Sequence, residues 1–164
     1  MDDIDRIVGQ WARERPDLQT EAMAVFGRIY RLAKLVGDRQ EKVYVGLGVN
    51  RGEFDVLAAL RRAGDPFQLP PKALSASLML TTGGMTGRLD RLERAGLVTR
   101  SPDPDDRRGL VITLTDPGRE LVDEAVGAGL AVQREVLERL PEPIRRQLAT
   151  LLRELLTAAA GYGG

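Results

Sequence analysis

From Thr82 to Leu114 the chain reads TGGMTGRLDRLERAGLVTRSPDPDDRRGLVITL, and this run constrains the fold more than any other. Met85, Leu89 and Leu92 recur at helical spacing, and Gly96 stands where a left-handed residue stops a helix. Leu97 to Arg100 resumes as a short strand. The segment SPDPDDRRG is rich in turn formers, and GLVITLT behind it is rich in β-branched residues, so the pair predicts a hairpin with a long charged tip. A helix followed by such a hairpin is a winged helix, a device for reading DNA.

Stepping about 100° per residue from Met85 puts Leu89, Leu92 and Gly96 on one buried stripe. Gly83, Gly87, Asp90, Arg91 and Arg94 fall on the opposite side, and Arg88 falls beside the stripe, so it is expected to turn toward the body of the protein. Gly83, Gly84 and Gly87 would each cost roughly 1 kcal/mol in an isolated helix. Close approach of the backbone to a nucleic-acid groove would justify them, as would a later helix start or packing against another helix. Thr81 or Thr82 would serve as the N-cap, and a helix N-terminus suits a phosphate. The segment lacks the GKS/T ending of a P-loop and the spacing of a dinucleotide fingerprint, so no nucleotide cofactor is expected.

The 164 residues carry 24 basic and 24 acidic side chains, an unusual balance for a nucleic-acid binder. Leu69 to Leu114 holds seven basic residues against five acidic, a difference of +2. Binding would therefore rest on a few placed arginines, doubled by dimerisation, rather than on a broad positive field. Cysteine and histidine are both absent. That excludes disulfides, thiol redox sensing, thiolate or imidazole metal sites and every histidine-based triad. Asp105 and Asp106 form a carboxylate pair, but they sit in an arginine-rich turn, and no enzymatic activity is expected. With no signal-like N-terminus and no long apolar run, a cytoplasmic protein without membrane contact is expected.

The rest of the chain predicts helices. Ile4 to Arg13 is a short amphipathic segment holding the only tryptophan, Trp11, and a long helix capped by Asp17 follows from Leu18 to about Tyr44. Glu53 to Arg62 is a third helix, Phe67 and Gln68 form an extended pair, and Pro71 to Met79 is the first member of a helix-turn-helix whose turn lies near Leu80 to Thr82. After the wing, Asp116 caps a helix through Leu140, and Pro143 to Ala159 forms the last one. Ile144, Leu148, Leu151, Leu152, Leu155 and Leu156 give that last helix a wide apolar face, which requires either a second copy of the chain or burial within a helical bundle. The expected fold is mainly α with a small β element (α+β), a winged helix-turn-helix with long N- and C-terminal dimerisation helices. Its expected divisions are residues 1–50 (N-terminal helices), 51–115 (DNA-binding domain) and 116–164 (C-terminal helices).

RLDRLERAGLVTR, followed by DPDDRRG and LTDPGREL, resembles the strongest signature of the MarR family of transcriptional regulators, and the likeness runs from Ile4 to Leu156. QWARERPDL, EFDVLAALRRAG and LMLTTGGMTGRLDRL are similar to its urate-responsive subgroup, which carries an extra N-terminal helix. The resemblance implies a homodimeric regulator, most often a repressor, that binds a pseudo-palindromic double-stranded operator and is released by a small anionic aromatic ligand such as urate, another purine or a phenolic acid. It places the ligand and relay residues at Trp11, Asp55, Arg88 and Arg100. Helical pattern alone calls Asp55 exposed, and Trp11 taken alone reads as a packing anchor. The DNA-facing set is Thr82, Gly83, Thr86, Gly87, Asp90 and Arg91 on the helix, with Asp106, Arg107 and Arg108 at the wing tip, where guanidinium groups favour the minor groove. The subgroup usually carries MTNR where this chain has MTGR, so Gly87 removes a side chain from that surface. The alternative is a winged-helix protein-interaction module without DNA binding, which a retardation assay at graded salt would separate.

Overall fold

The computed structural model describes residues 1–78, 82–103 and 109–161, without the side chains of 82 and 83. Its helices are α1 (Asp3–Glu14), α2 (Glu21–Gly46), α3 (Arg51–Arg62), α4 (Pro71–Ser77), α5 (Thr82–Arg94), α6 (Asp116–Leu137) and α7 (Glu142–Ala160). The strands are β1 (Gln68–Leu69), β2 (Val98–Pro102) and β3 (Leu110–Leu114). Two units are distinguishable, residues 1–51 and 52–164. No helix among the described residues is long and apolar enough to cross a membrane.

In the first unit, Asp2 caps α1 by accepting from the amides of Ile4 and Asp5, and the Asp5 carboxylate accepts in return from the Asp2 amide. Arg28 of α2 closes on both carboxylates, and Arg31 reaches Asp3 at 3.2 Å. The reciprocal amide bond and then the Arg28 guanidinium hold Asp2 and Asp5 below the ordinary carboxylate pKa. The clamp is therefore complete at neutral pH. A Cβ at Gly27 would stand 3.2 Å from Ile4, so glycine is what lets α1 lie this close to α2. The expected cap of α2 is corrected: the helix begins at Glu21 behind Thr20, and Asp17 lies in the turn before it, where its carboxylate pairs with the Arg15 fork.

In the second unit the sheet runs β1-β3-β2 and is antiparallel throughout, with Leu69 opposite Ile112 and Arg100 also opposite Ile112 on the other edge. The expected hairpin is the β2–β3 pair. Phe67 is not in a strand as expected: its amide turns back onto the Gly64 carbonyl at 2.5 Å with φ +56°, and the extended pair is Gln68–Leu69. Val56, Leu57 and Leu60 of α3, Leu74 of α4, Met85, Leu89 and Leu92 of α5, Val98, Ile112 and Val122 are all buried and form the core. Three of the four residues of the α5 stripe are in it. Gly96 is the exception, exposed at φ +72°, because it lies past the helix end as the left-handed stop.

The start of α6 is locked to that stop. Thr115, not Asp116, is the N-cap: its hydroxyl accepts from the Gly118 amide at 3.1 Å and donates to the Gly96 carbonyl at 2.8 Å. The helix ends at Leu137, short of Leu140. Along α7 no residue is buried within this chain. Ile144, Leu151, Leu152 and Leu156 are exposed, as are Leu130, Leu137 and Leu140 before them.

Candidate nucleic-acid interface and effector residues

Met85, Leu89 and Leu92 fix the rotation of α5, and that rotation decides which side chains leave the body. Thr86, Arg91 and Arg94 are exposed, and Gly87 is half-buried. Asp90, expected on the outward side, is half-buried, and its carboxylate accepts from Arg100 Nη2 at 2.6 Å. Asp106, Arg107 and Arg108 lie outside the described residues, as do the side chains of Thr82 and Gly83.

Arg100 starts from β2 and reaches back to α5, bonded to Asp90 and, at 3.1 Å, to Glu93. Two carboxylates thus tie the first strand of the wing to the recognition helix. Arg100 also lines a cavity of about 430 Å³ with Lys72 of α4, Met85, Thr86 and Leu89 of α5, and Leu110 of β3. Its walls are mainly apolar, and Arg100 and Lys72 supply the positive charge.

Arg88 turns inward, as its position beside the apolar stripe predicts. It is half-buried and donates from Nη1 to the Gly52 carbonyl at 3.2 Å, at the start of α3. A Cβ on Gly52 would stand 2.6 Å from Arg88 Cζ, so the guanidinium lies directly on that backbone. Asp55 is half-buried, not exposed. The pattern misleads because Val56 to Leu60 is an unbroken buried run: α3 is covered on nearly all sides, and periodicity then says little about its polar residues. Trp11 belongs to the first unit and is 43% exposed.

Sequence reasoning missed Glu53. It is 8% exposed, and its Oε1 accepts from Arg91 Nε at 2.5 Å. The partners are far apart in the chain, so no local spacing signals the pair. Among the described residues no cluster of potential ligands is placed to hold a metal ion.

A model of the MarR family matches residues 47–109. The chain is 38% identical to the HTH-type transcriptional regulator PecS of Dickeya dadantii, over 92% of this chain and 90% of that one. A mutant of Escherichia coli MarR complexed with operator DNA superposes with a TM-score of 0.72 at 25% identity, covering 84% of this chain and 96% of that one. CouR of Rhodococcus jostii, bound to p-coumaroyl-CoA, gives a TM-score of 0.68 at 26% identity, over 80% and 90%. With the similarity to PecS spanning nearly the whole chain and a winged helix as its fold, the protein belongs to the MarR family of transcriptional regulators.

Proposed function

We propose that the protein is a homodimeric repressor that binds a pseudo-palindromic operator and releases it when a small anionic aromatic ligand such as urate, another purine or a phenolic acid binds. One observation carries the DNA half of this reading: a recognition helix pinned by three buried side chains presents Arg91 and Arg94 at the surface. Two such helices would enter successive major grooves about 10 base pairs apart, with the wings over flanking minor grooves. That a related MarR has been solved in complex with operator DNA supports the DNA-binding reading. Retardation assays at graded salt test it. Replacing Arg107 and Arg108 by Ala in both wings is expected to reduce the slope of log K against log salt by about 3 to 4, with folding unchanged. An unaltered slope would remove the wing contacts.

The ligand half rests on Trp11, Asp55, Arg88 and Arg100, and the CouR complex supports a ligand-binding reading. A half-buried guanidinium resting on a backbone carbonyl has charge to spare for an anion. By linkage, a ligand that prefers the conformation fitting DNA poorly weakens DNA binding by the factor by which DNA weakens its own. Urate titration is expected to quench the single tryptophan and to lower operator affinity together. Arg88→Ala should abolish both responses. Gly52→Ala should act similarly with little loss of stability, because the added methyl displaces only the far end of the Arg88 side chain. Full ligand response in both variants would exclude Arg88 as the counter-charge.

A further inference from the structure

Arg91 is the outward arginine of the recognition helix, and it is not loosely solvated. Its Nε donates to Glu53, a carboxylate almost wholly withdrawn from solvent, while half of the arginine side chain stays exposed. Its Nη1 lies 3.8 Å from where a Cβ on Gly87, one turn earlier, would stand, so the guanidinium lies along the stretch of α5 that carries no side chain. We propose that Glu53 is a positioning residue for sequence reading: it fixes Arg91 over Gly87, so that Arg91 reads one guanine in each operator half-site. This rests on the DNA-binding function proposed above and deepens it.

The argument is one of geometry and charge. A guanidinium reads guanine O6 and N7 with a two-nitrogen fork. With the Nε edge given to Glu53, the fork left for a base is the Nη1–Nη2 edge, at the tip of the side chain. An untethered arginine on a helix surface would swing to the nearest phosphate, which carries no sequence information. The buried carboxylate opposes that swing, since the swing would break a charge-assisted hydrogen bond that is screened from solvent. It also offsets part of the arginine's charge, which weakens attraction to DNA of any sequence.

The test uses an operator selected by the wild-type protein from random duplex DNA. Affinity is measured for that operator, for copies with single guanines replaced by 7-deazaguanine, and for unrelated DNA. Wild type should show one sensitive guanine per half-site. Arg91→Ala should erase that sensitivity. Glu53→Gln should reduce the ratio of specific to non-specific affinity roughly tenfold, mostly at that guanine, with non-specific binding equal or tighter. Glu53→Asp, which keeps the charge but shortens the reach, should give a smaller loss, and it serves if the Gln variant does not fold. The double variant Glu53→Gln/Arg91→Ala should match Arg91→Ala alone. If the two Glu53 variants, wherever folded, keep the wild-type ratio and 7-deazaguanine profile, or if Arg91→Ala leaves the profile intact, the positioning role is overturned while DNA binding stands. A wild type that selects no sequence overturns both.

Discussion

Gly118→Ala is expected to lower the thermal midpoint by about 4–12 °C. Gly118 is in the first turn of α6, and a Cβ there would stand 2.1 Å from the Leu97 carbonyl oxygen and 2.9 Å from Leu114. The first obstacle is backbone in the turn that joins α5 to β2, which Thr115 also grips through the Gly96 carbonyl and through its own amide to Leu97 at 3.1 Å. Nothing flexible is available to yield. Replacing Gly by Ala inside a helix ordinarily gains up to about 1 kcal/mol, whereas overpacking of this kind costs about 3 kcal/mol, so the clash wins by about 2–3 kcal/mol. At about 2–4 °C per kcal/mol for a chain of this size, the stated drop follows. Gly127→Ala in the same helix is the control: its Cβ would meet nothing within 4 Å, and the midpoint should hold or rise. Thermal unfolding of both variants at one protein concentration decides the point. Equal behaviour would mean that α6 does not lock onto the turn as described.

Leu151→Asp is expected to weaken the proposed dimer by roughly 10²–10⁴-fold. Leu151 is 53% exposed in the single chain, beside Leu152 and Leu156, on a helix that buries none of its residues within the chain. An apolar strip of this length favours a partner. In a two-fold interface each copy contributes the same residue. Losing about 1.5–3 kcal/mol of burial per leucine therefore counts twice, giving about 3–6 kcal/mol. Operator affinity should fall with the dimer, since one half-site offers few contacts. Sedimentation with parallel operator titration tests this. A monomeric wild type, or a dimer untouched by the substitution, would exclude α7 from the interface.

How far the sequence speaks depends on whether the determining contacts are local. The recognition helix and its hairpin were legible because Met85, Leu89 and Leu92 repeat at helical spacing and β3 is strongly β-branched. The same wheel turns Arg88 inward, where it bonds the Gly52 carbonyl. Helix starts were less legible, because a cap is chosen among neighbouring candidates by partners elsewhere. Asp17 pairs with Arg15 and the helix starts four residues later, and Thr115 outranks Asp116 by bonding both Gly118 and Gly96. Asp55 and Glu53 were illegible for another reason: α3 is enclosed on nearly every side, so polar residues on it are covered wherever they fall. Glu53 finds its partner on α5, a pairing no spacing rule contains.

The most direct test of the account is to select the wild-type protein's sites from random duplex DNA and to titrate the winner against salt. The account predicts two inverted half-sites with centres about 10 base pairs apart, bound by a dimer with a steep negative dependence of log K on log salt. Recovery of no shared sequence, with only weak binding indifferent to sequence, would contradict it.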